Sequence, residues 1–194
     1  MSKGKTRAIK PMFSLSPVVF RDSAIAGRGV FARRRFAPGD VIVAYAPRQR
    51  RVDAGAPEAV AAAATRLTLL SGAEVIIPDT TVPGGWLCNH SCEPNAALYS
   101  SGEGRIQCTR PISPGDEVTI FYGWVTRNDP ERDRCFCGSA RCRGTINFDL
   151  SDGEDGESLE RRLVEYSDYL RSIGQEQVLE TIERALANTK LGSM

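Results

Sequence analysis

Short apolar runs separated by glycine, proline and aspartate follow one another along most of this 194-residue chain. This spacing predicts many short strands joined by turns, with no long helix among them. Pro38-Gly39-Asp40 and Pro114-Gly115-Asp116 predict turns, because proline presets one backbone dihedral and glycine tolerates a positive φ. The pattern therefore predicts an irregular, mainly β core. The runs with strand character are Val18–Phe20, Gly29–Ala32, Val41–Tyr45, Leu67–Leu70, Glu74–Pro78, Arg105–Thr109 and Val118–Tyr122.

The pattern changes after Asn147. Residues 151–156 have the composition of an acidic, flexible linker, and from Ser158 onward apolar residues recur at helical spacing. We expect two helices, separated at Gly174, that dock on the core as a hairpin; a dimerisation or partner surface is the alternative. The apolar positions are Leu159, Leu163, Tyr166 and Leu170 in the first helix and Val178, Leu179, Ile182 and Leu186 in the second.

The N-terminal residues 1–16 are basic and contain Lys3, Lys5, Arg7 and Lys10. We expect a disordered, solubilising arm; a weak contact with nucleic acid or acidic proteins is the alternative. No apolar run approaches the length of a membrane span, so we expect no membrane partner.

The cysteines change the picture further. Three of the six form the spacing Cys-x-Cys-x-x-x-x-Cys at Cys135, Cys137 and Cys142. Such clustering favours a metal site in a reducing compartment over disulfides, and we expect an intracellular protein, cytoplasmic or, in a eukaryote, nuclear. Because structural zinc takes four tetrahedral ligands, a fourth must come from elsewhere. The candidates are Cys88, Cys92 and Cys108.

Three blocks of sequence stand out in order. Residues 88–95 read Cys-Asn-His-Ser-Cys-Glu-Pro-Asn and include the only histidine, residues 115–123 read Gly-Asp-Glu-Val-Thr-Ile-Phe-Tyr-Gly, and residues 135–144 read Cys-Phe-Cys-Gly-Ser-Ala-Arg-Cys-Arg-Gly. Together they resemble the SET-domain protein methyltransferases. In that family an Asn-His-Ser-Cys-x-Pro-Asn segment, a strand ending in Tyr and a cysteine tail build one S-adenosylmethionine site. The resemblance runs from about Val18 to Asn147.

The resemblance implies a β-clip of small sheets with a pseudoknot core, followed by a zinc-binding tail called the post-SET segment. After the basic arm we expect a SET domain at residues 17–128, the post-SET segment at 129–148, and the acidic linker with the C-terminal helices at 149–194. No Gly-x-Gly-x-x-Gly opens a helix after a strand, which disfavours the Rossmann-type methyltransferase fold.

The resemblance also implies which residues form the sites. Cys92 becomes the fourth ligand of a structural zinc ion, with Cys135, Cys137 and Cys142. Arg28 and Gly29 lie within Gly27-Arg28-Gly29-Val30, which corresponds to a segment whose backbone lines the methionine part of S-adenosylmethionine. Asn89 and His90 correspond to residues that hold its adenosine end, largely through backbone and amide hydrogen bonds.

Tyr122 corresponds to the catalytic tyrosine of the family, and Tyr45 is a plausible second tyrosine of the lysine channel or a structural residue. Methyl transfer to an amine requires a neutral nucleophile, whereas free lysine has a pKa of about 10.4. A tyrosine hydroxyl can accept a hydrogen bond from the amine and align it. Trp124 and Phe136 could stack on adenine or line the channel; filling the core is the alternative for both.

We therefore expect an S-adenosylmethionine-dependent transfer of methyl groups to the ε-amine of a lysine in a histone or other protein. Three departures from the family pattern leave the acceptor open: Ala44 stands where glutamate is common, Ile120 where an aromatic residue is common, and Phe121 where an acid is common. The alternatives are a small-molecule or non-lysine acceptor, or a non-catalytic module that binds the donor or a peptide. The loss of the aromatic residue at Ile120 predicts a wider channel and di- or trimethylation.

Overall fold

The computed structural model describes residues 16–59, 69–71, 74–99, 102–122, 133–146, 167–168 and 170–172. Within them lie ten β-strands and one short 3-10 helix, so the predicted mainly β fold is confirmed. Residues 167–168 and 170–172 are helical. The basic arm, the acidic linker and the rest of the predicted hairpin lie outside the described residues. No helix of the described residues is long and apolar enough to cross a membrane.

The strands are short, as predicted from the glycine, proline and aspartate residues that separate the apolar runs. The 3-10 helix, Gly85–Leu87, lies between the sixth and seventh strands. The strands are β1 (Val18–Asp22), β2 (Arg28–Ala32), β3 (Val41–Ala44), β4 (Gln49–Asp53), β5 (Leu69–Ser71), β6 (Glu74–Pro78), β7 (Asn89–His90), β8 (Ala96–Tyr99), β9 (Arg105–Cys108) and β10 (Glu117–Ile120).

These strands form three small sheets. The first has the order β1-β2-β10-β7, the second β3-β9-β8, and the third β4-β6-β5. All the pairings are antiparallel except that of β10 with β7, which run parallel with Thr119 opposite Asn89 and Ile120 opposite His90. The parallel pair brings the histidine motif beside the strand that precedes Tyr122.

The two Pro-Gly-Asp segments form the same turn. Gly39 has φ of 93° and Gly115 has φ of 94°, the left-handed region that favours glycine. In each turn the aspartate carboxylate accepts a backbone N–H three residues earlier, Asp40 from Ala37 at 3.0 Å and Asp116 from Ser113 at 2.8 Å. The predicted turns therefore deliver β3 and β10 to the core by one local mechanism.

One hydrophobic core joins all three sheets. Val30 and Val118 come from the first sheet, Ile42 and Ile106 from the second, and Ile76 from the third, and each is almost completely buried. Burial alternates along β6 and β9, whereas β2 and β10 are buried along consecutive residues. The three sheets therefore meet in one apolar cluster.

Three strands were not predicted from the apolar pattern. Strand β4 contains Gln49, Arg50 and Arg51 and lies at the edge of its sheet, where most of its side chains are exposed. Strand β7 has only two residues, and β8 begins with two alanines, which have low strand propensity. These strands are specified by their partners rather than by their own composition.

Candidate active site and metal centre

Tyr122 lies two residues beyond the end of β10 and forms hydrogen bonds through its backbone nitrogen and its hydroxyl. Its backbone N–H donates to His90 Nδ1 at 3.2 Å, and its hydroxyl donates to the carbonyl oxygen of Cys88 at 3.1 Å. The residue is 43% exposed, so it borders solvent while its hydroxyl points inward. The hydroxyl proton is committed to Cys88, which leaves the oxygen lone pairs available to accept a hydrogen bond.

Tyr45, Tyr122 and Cys88 interact electrostatically and all remain protonated at neutral pH. Burial, reinforced by Cys88, raises the pKa of Tyr122 to about 12. Burial, reinforced by Tyr122 and Cys88, raises the pKa of Tyr45 well above its ordinary value. Burial also raises the pKa of the Cys88 thiol, with Glu117 adding to the effect. The structure therefore brings the two predicted tyrosines together as neutral phenols.

Tyr45 is placed by a tight contact between β3 and the 3-10 helix. Its N–H donates to the carbonyl of Gly104 at 2.9 Å, and its carbonyl accepts the N–H of Trp86 at 2.9 Å. A Cβ atom on Gly84 would stand 2.7 Å from that same carbonyl oxygen. Only glycine fits at that position without displacing the backbone of Tyr45.

Asn89 connects the turn before β2 to β10. Its side-chain amide donates to Glu117 Oε1 at 2.8 Å and to the Ala26 carbonyl at 3.1 Å, with a longer contact of 3.4 Å to the Arg28 carbonyl. The Ser23 hydroxyl also lies 2.8 Å from both oxygens of Glu117. These contacts hold the glycine-containing turn against the histidine motif.

Gly29 is packed against this network. A Cβ atom there would overlap Glu117 Oε1 and would stand 2.9 Å from Glu117 Cδ. The Arg28 side chain is exposed, and its guanidinium makes a 3.5 Å contact with the Phe20 carbonyl. Arg28 therefore takes part in this network through its carbonyl rather than through its charge.

His90 is 2% exposed and lies between Tyr122 and Cys92. Its Nε2 atom is 3.5 Å from Cys92 Sγ, and its ring contacts the rings of Phe121 and Tyr122 at centroid distances of 5.1 and 5.4 Å. Burial, with a smaller contribution from the positive charge of Arg143, lowers the pKa of His90 to about 4. The imidazole is therefore neutral at physiological pH.

The four cysteines of the predicted zinc set converge. The Sγ atoms of Cys92, Cys135, Cys137 and Cys142 all lie within 4.8 Å of one another, and those of Cys92 and Cys135 are 3.9 Å apart. A zinc ion with Zn–S bonds of about 2.3 Å has S···S edges of about 3.8 Å in a regular tetrahedron. The donor set and its spacing fit a tetrahedral zinc ion.

The surroundings of the sulfur atoms favour negative charge at one of them. Burial opposes ionisation of Cys137, but the Cys92 amide, 3.5 Å away, and the Ser139 hydroxyl, 3.3 Å away, lower the pKa of its thiol to about 6. Burial raises the thiol pKa values of Cys92 and Cys135. A cation bound at the centre would favour the thiolate form of both.

The tail residues 133–146 contact the histidine motif beside this cluster. The Arg141 side chain forms a 3.0 Å ion pair with Glu93, and the Arg143 amide lies 3.4 Å from Cys92 Sγ. Phe136, a candidate to wall the donor pocket, is 58% exposed and has the Arg134 guanidinium 5.3 Å from its ring centroid. Trp124, the other candidate, lies outside the described residues.

Some residues of the site were missed by the sequence analysis. Asn95 donates its side-chain amide to the Glu117 carbonyl at 2.8 Å and accepts the Thr119 N–H at 2.9 Å. The sequence motifs predict no role for Ser23, and none for Glu117 beyond its place in a strand. Asn95 closes the histidine block and Glu117 follows a Pro-Gly-Asp turn, so position within the motifs was the available signal.

Comparison with known proteins gives one family. The SET domain model matches residues 27–123. Among curated proteins, the chain is 40% identical over 77 residues to histone-lysine N-methyltransferase Set2 of Drosophila melanogaster, covering 37% of this chain and 3% of that protein. It is 29% identical over 157 residues to histone-lysine N-methyltransferase TRX1 of Oryza sativa subsp. japonica, covering 72% of this chain and 15% of that protein.

Two further similarities are more limited. Methyltransferase flvH of Aspergillus flavus is 43% identical over 60 residues, which cover 30% of this chain and 34% of that protein. A crystal structure described as a candidate histone methyltransferase of Plasmodium falciparum aligns with a TM-score of 0.43 and 18% identity, covering 58% of this chain and 97% of that one. The chain thus spans 3% to 34% of the length of these three curated relatives.

Proposed function

Since the chain belongs to the SET-domain family, we propose that it transfers a methyl group from S-adenosylmethionine to the ε-amine of a lysine in a protein. The relatives named as histone-lysine methyltransferases make a histone the first substrate to test. The observation that carries the proposal is the state of Tyr122, a neutral phenol whose proton is committed to Cys88.

Because its proton is donated to Cys88, the neutral phenol of Tyr122 can accept a hydrogen bond from the substrate amine. The donor supplies an electrophilic methyl carbon on a sulfonium, and the amine lone pair forms the new N–C bond as the C–S bond breaks. Tyr122 accepts an N–H of the neutral amine and thereby aims its lone pair, while Tyr45 narrows the same space. With a pKa of about 12, Tyr122 does not ionise at neutral pH, so the ammonium proton leaves to water rather than to this phenol.

The donor is proposed to bind against the turn and the motif that Asn89 joins. Gly29 leaves room where a side chain would collide with Glu117. We propose that the backbones of Arg28, Gly29 and His90 line the donor, with Asn89 fixing their separation. Trp124 and Phe136 are proposed as aromatic walls.

We propose that Cys92, Cys135, Cys137 and Cys142 hold a structural zinc ion. Four thiolates leave no open coordination position for a reacting water, so the ion would fasten the tail rather than take part in chemistry. Such a thiolate site requires a reducing compartment, and we propose an intracellular location, nuclear if the substrate is a histone. Contact of the basic arm with nucleic acid stays a weaker proposal.

The substitution Tyr122→Phe tests the proposal. It removes the hydroxyl and keeps the ring, so we expect kcat to fall by about 100-fold or more. Donor affinity, measured by calorimetry, should change by no more than about twofold. The assay uses labelled S-adenosylmethionine with core histones and a cell extract, followed by mass spectrometry of the labelled proteins.

Tyr99→Phe is the matched control, because Tyr99 lies in β8 and its ring is engaged by Arg105. This variant also loses one hydroxyl and should keep wild-type turnover. Equal turnover of wild type and Tyr122→Phe would remove Tyr122 from the mechanism. An absence of donor binding in the wild type would instead favour a non-catalytic module.

A second candidate function keeps the methyl transfer and changes the acceptor. Ala44, Ile120 and Phe121 differ from common family residues, and one relative is named simply as a methyltransferase. Ile120 and Phe121 are buried beside the histidine motif, where they bear on the shape of the acceptor channel. Turnover with small amines, and none with any protein in the extract, would support this candidate.

A further inference from the structure

We propose that the side chain of His90 is a positioning residue that couples the zinc ligand Cys92 to the backbone of Tyr122. It would accept the Tyr122 N–H on Nδ1 and donate its Nε2–H to Cys92 Sγ. The contact between His90 and Cys92 is argued from the cysteine cluster and does not depend on the proposed function. The catalytic half rests on the proposed function of Tyr122.

The two contacts define the tautomer of the ring. A backbone N–H can only donate, so Nδ1, 3.2 Å from the Tyr122 nitrogen, must carry a lone pair. A neutral imidazole then carries its proton on Nε2, the atom that lies 3.5 Å from Cys92 Sγ. The proton therefore points at a sulfur atom that accepts it best as a thiolate, the form that binds zinc.

The strand geometry explains why a side chain is needed at this point. Strands β7 and β10 are parallel, and their ladder includes the Ser91 N–H bonded to the Ile120 carbonyl at 2.9 Å. One more step of a parallel ladder would direct the Tyr122 N–H to the Ser91 carbonyl. The chain instead ends the ladder there and gives that N–H to the His90 ring.

The ring is fixed by its surroundings. It is 2% exposed and packs at 54° against Phe121 and edge-on against Tyr122. Because the hydroxyl of Tyr122 is also bound, to Cys88, both ends of the tyrosine depend on the motif that contains the zinc ligand. A tyrosine displaced by about 1 Å would lose much of its alignment with the amine.

The tautomer can be measured directly, because His90 is the only histidine in the chain. Labelling this zinc-loaded 194-residue chain with ring-¹⁵N histidine gives a single imidazole in long-range ¹H–¹⁵N spectra. We expect a protonated Nε2 and an unprotonated Nδ1. An Nδ1–H tautomer, or averaging between the two, would overturn the proposal.

Replacing His90 by asparagine or by glutamine tests its contact with Cys92 and its contact with Tyr122 separately. His90→Asn retains an oxygen near the Nδ1 position and loses the reach to Cys92, so zinc release to a chelator should accelerate by about tenfold or more. His90→Gln retains an N–H near the Nε2 position and loses the acceptor for Tyr122. We expect His90→Gln to lower kcat by about tenfold or more, with a smaller effect on zinc release and on donor affinity.

The proposal predicts that the two variants rank in opposite order in two measurements, zinc release and hydrogen exchange of the Tyr122 amide. Zinc release should be faster in His90→Asn, and hydrogen exchange of the Tyr122 amide should be faster in His90→Gln. Equal effects of both variants on both readouts would overturn the coupling, as would a loss confined to donor affinity. Because zinc release, exchange and the tautomer need no turnover, they decide the coupling even if the wild type methylates no lysine, a result that would count against the proposed function alone.

Discussion

Burial keeps three acidic groups near the proposed reaction centre protonated. The phenols of Tyr45 and Tyr122 and the thiol of Cys88 all have raised pKa values, each because burial disfavours the charged form. The thiol of Cys137, in the cysteine cluster, has its pKa lowered to about 6 by donated hydrogen bonds. Two neighbouring parts of the site therefore differ in charge: the tyrosines and Cys88 are neutral, whereas the cysteine cluster favours a thiolate that can bind a metal ion.

The raised tyrosine pKa predicts a loss of stability in alkaline solution. An unfolded tyrosine titrates near pH 10, whereas Tyr122 in the fold titrates near 12. Between these values the folded chain binds more protons than the unfolded chain, so the free energy of unfolding falls as the pH rises. Urea unfolding of wild type and Tyr122→Phe at about pH 9 and about pH 11 measures this effect.

Phenylalanine does not titrate, so Tyr122→Phe should lose less stability than wild type over this interval. Tyr45→Phe should behave similarly, because burial raises the pKa of Tyr45 as well. Equal losses in the wild type and both variants would show that these phenols ionise as freely in the fold as in the unfolded chain.

Among the structural elements, side-chain amides extend strands that are too short to finish their own ladders. Strand β7 has two residues and β10 has four. Asn95 offers a donor to the Glu117 carbonyl and an acceptor to the Thr119 N–H, the two groups that a neighbouring strand would satisfy. At these two groups of β10 the side chain of Asn95 thus takes the place of a neighbouring strand.

Asn95→Ala should therefore destabilise the fold strongly. It leaves one carbonyl and one N–H of β10 without this partner at a part-buried site, and each lost partner costs about 1–3 kcal/mol. We expect a loss of about 2–4 kcal/mol in urea unfolding. The free energy of unfolding of Asn95→Asp should lie between those of the wild type and Asn95→Ala. This variant keeps the acceptor for the Thr119 N–H and loses the donor for the Glu117 carbonyl.

Gln107→Ala is the matched control. The Gln107 amide also donates to a backbone carbonyl, that of Gly39, but at an exposed position where water can replace it. Its loss should cost less than about 1 kcal/mol. If Asn95→Ala costs no more than Gln107→Ala, the amide of Asn95 does not act as part of the sheet.

The sequence predicted the elements whose local chemistry is decisive. The apolar runs became β1, β2, β3, β5, β6, β9 and β10, with ends shifted by at most two residues, and both Pro-Gly-Asp turns were predicted correctly. The polar edge strand β4 was missed, because its partner β6 specifies it and its own side chains are mostly exposed. The two-residue strand β7 carries too little pattern to be read alone.

In the site, too, local motifs were predictive and long-range contacts were not. The cysteine set and the two tyrosines were proposed from motifs, and the structure brings each set together. The ring contacts of His90 and the two bonds of Asn95 depend on pairing β7 with β10, a long-range contact that no local pattern encodes. The charged end of Arg28 lies exposed, so what the motif specifies at this position is the backbone.

For the molecule as a whole, the tail is attached differently from the sheets. The three sheets share one apolar core, whereas residues 133–146 pair with themselves, through a bridge between Arg134 and Thr145 and through nearby backbone hydrogen bonds. Their contacts with the motif include the cysteine cluster, two backbone amides that lie 3.4 and 3.5 Å from its sulfur atoms, and the exposed Glu93–Arg141 ion pair. Because exposed ion pairs contribute little to stability, and two of the other contacts involve sulfur atoms of the cluster, we expect the cluster to be the main attachment.

Removing zinc should therefore release the tail and spare the sheets. We expect one zinc ion per chain in the purified protein, measured by elemental analysis, and its loss on chelation. Limited proteolysis within residues 133–146 should then accelerate by more than about tenfold. Hydrogen exchange of core amides such as Val30 and Val118 should change much less, since their sheet does not depend on the metal.

Two cysteine substitutions make this test specific. Cys142→Ser removes the exposed ligand of the cluster and should reproduce the effect of chelation on zinc content and proteolysis. Cys108→Ser removes a buried thiol that bonds the Arg110 carbonyl, away from the cluster, and should leave the zinc content unchanged. If Cys142→Ser keeps its zinc and its tail resists the protease, the ion is not what fastens this segment. The ion pair and backbone contacts would then have to hold the tail against the motif without it.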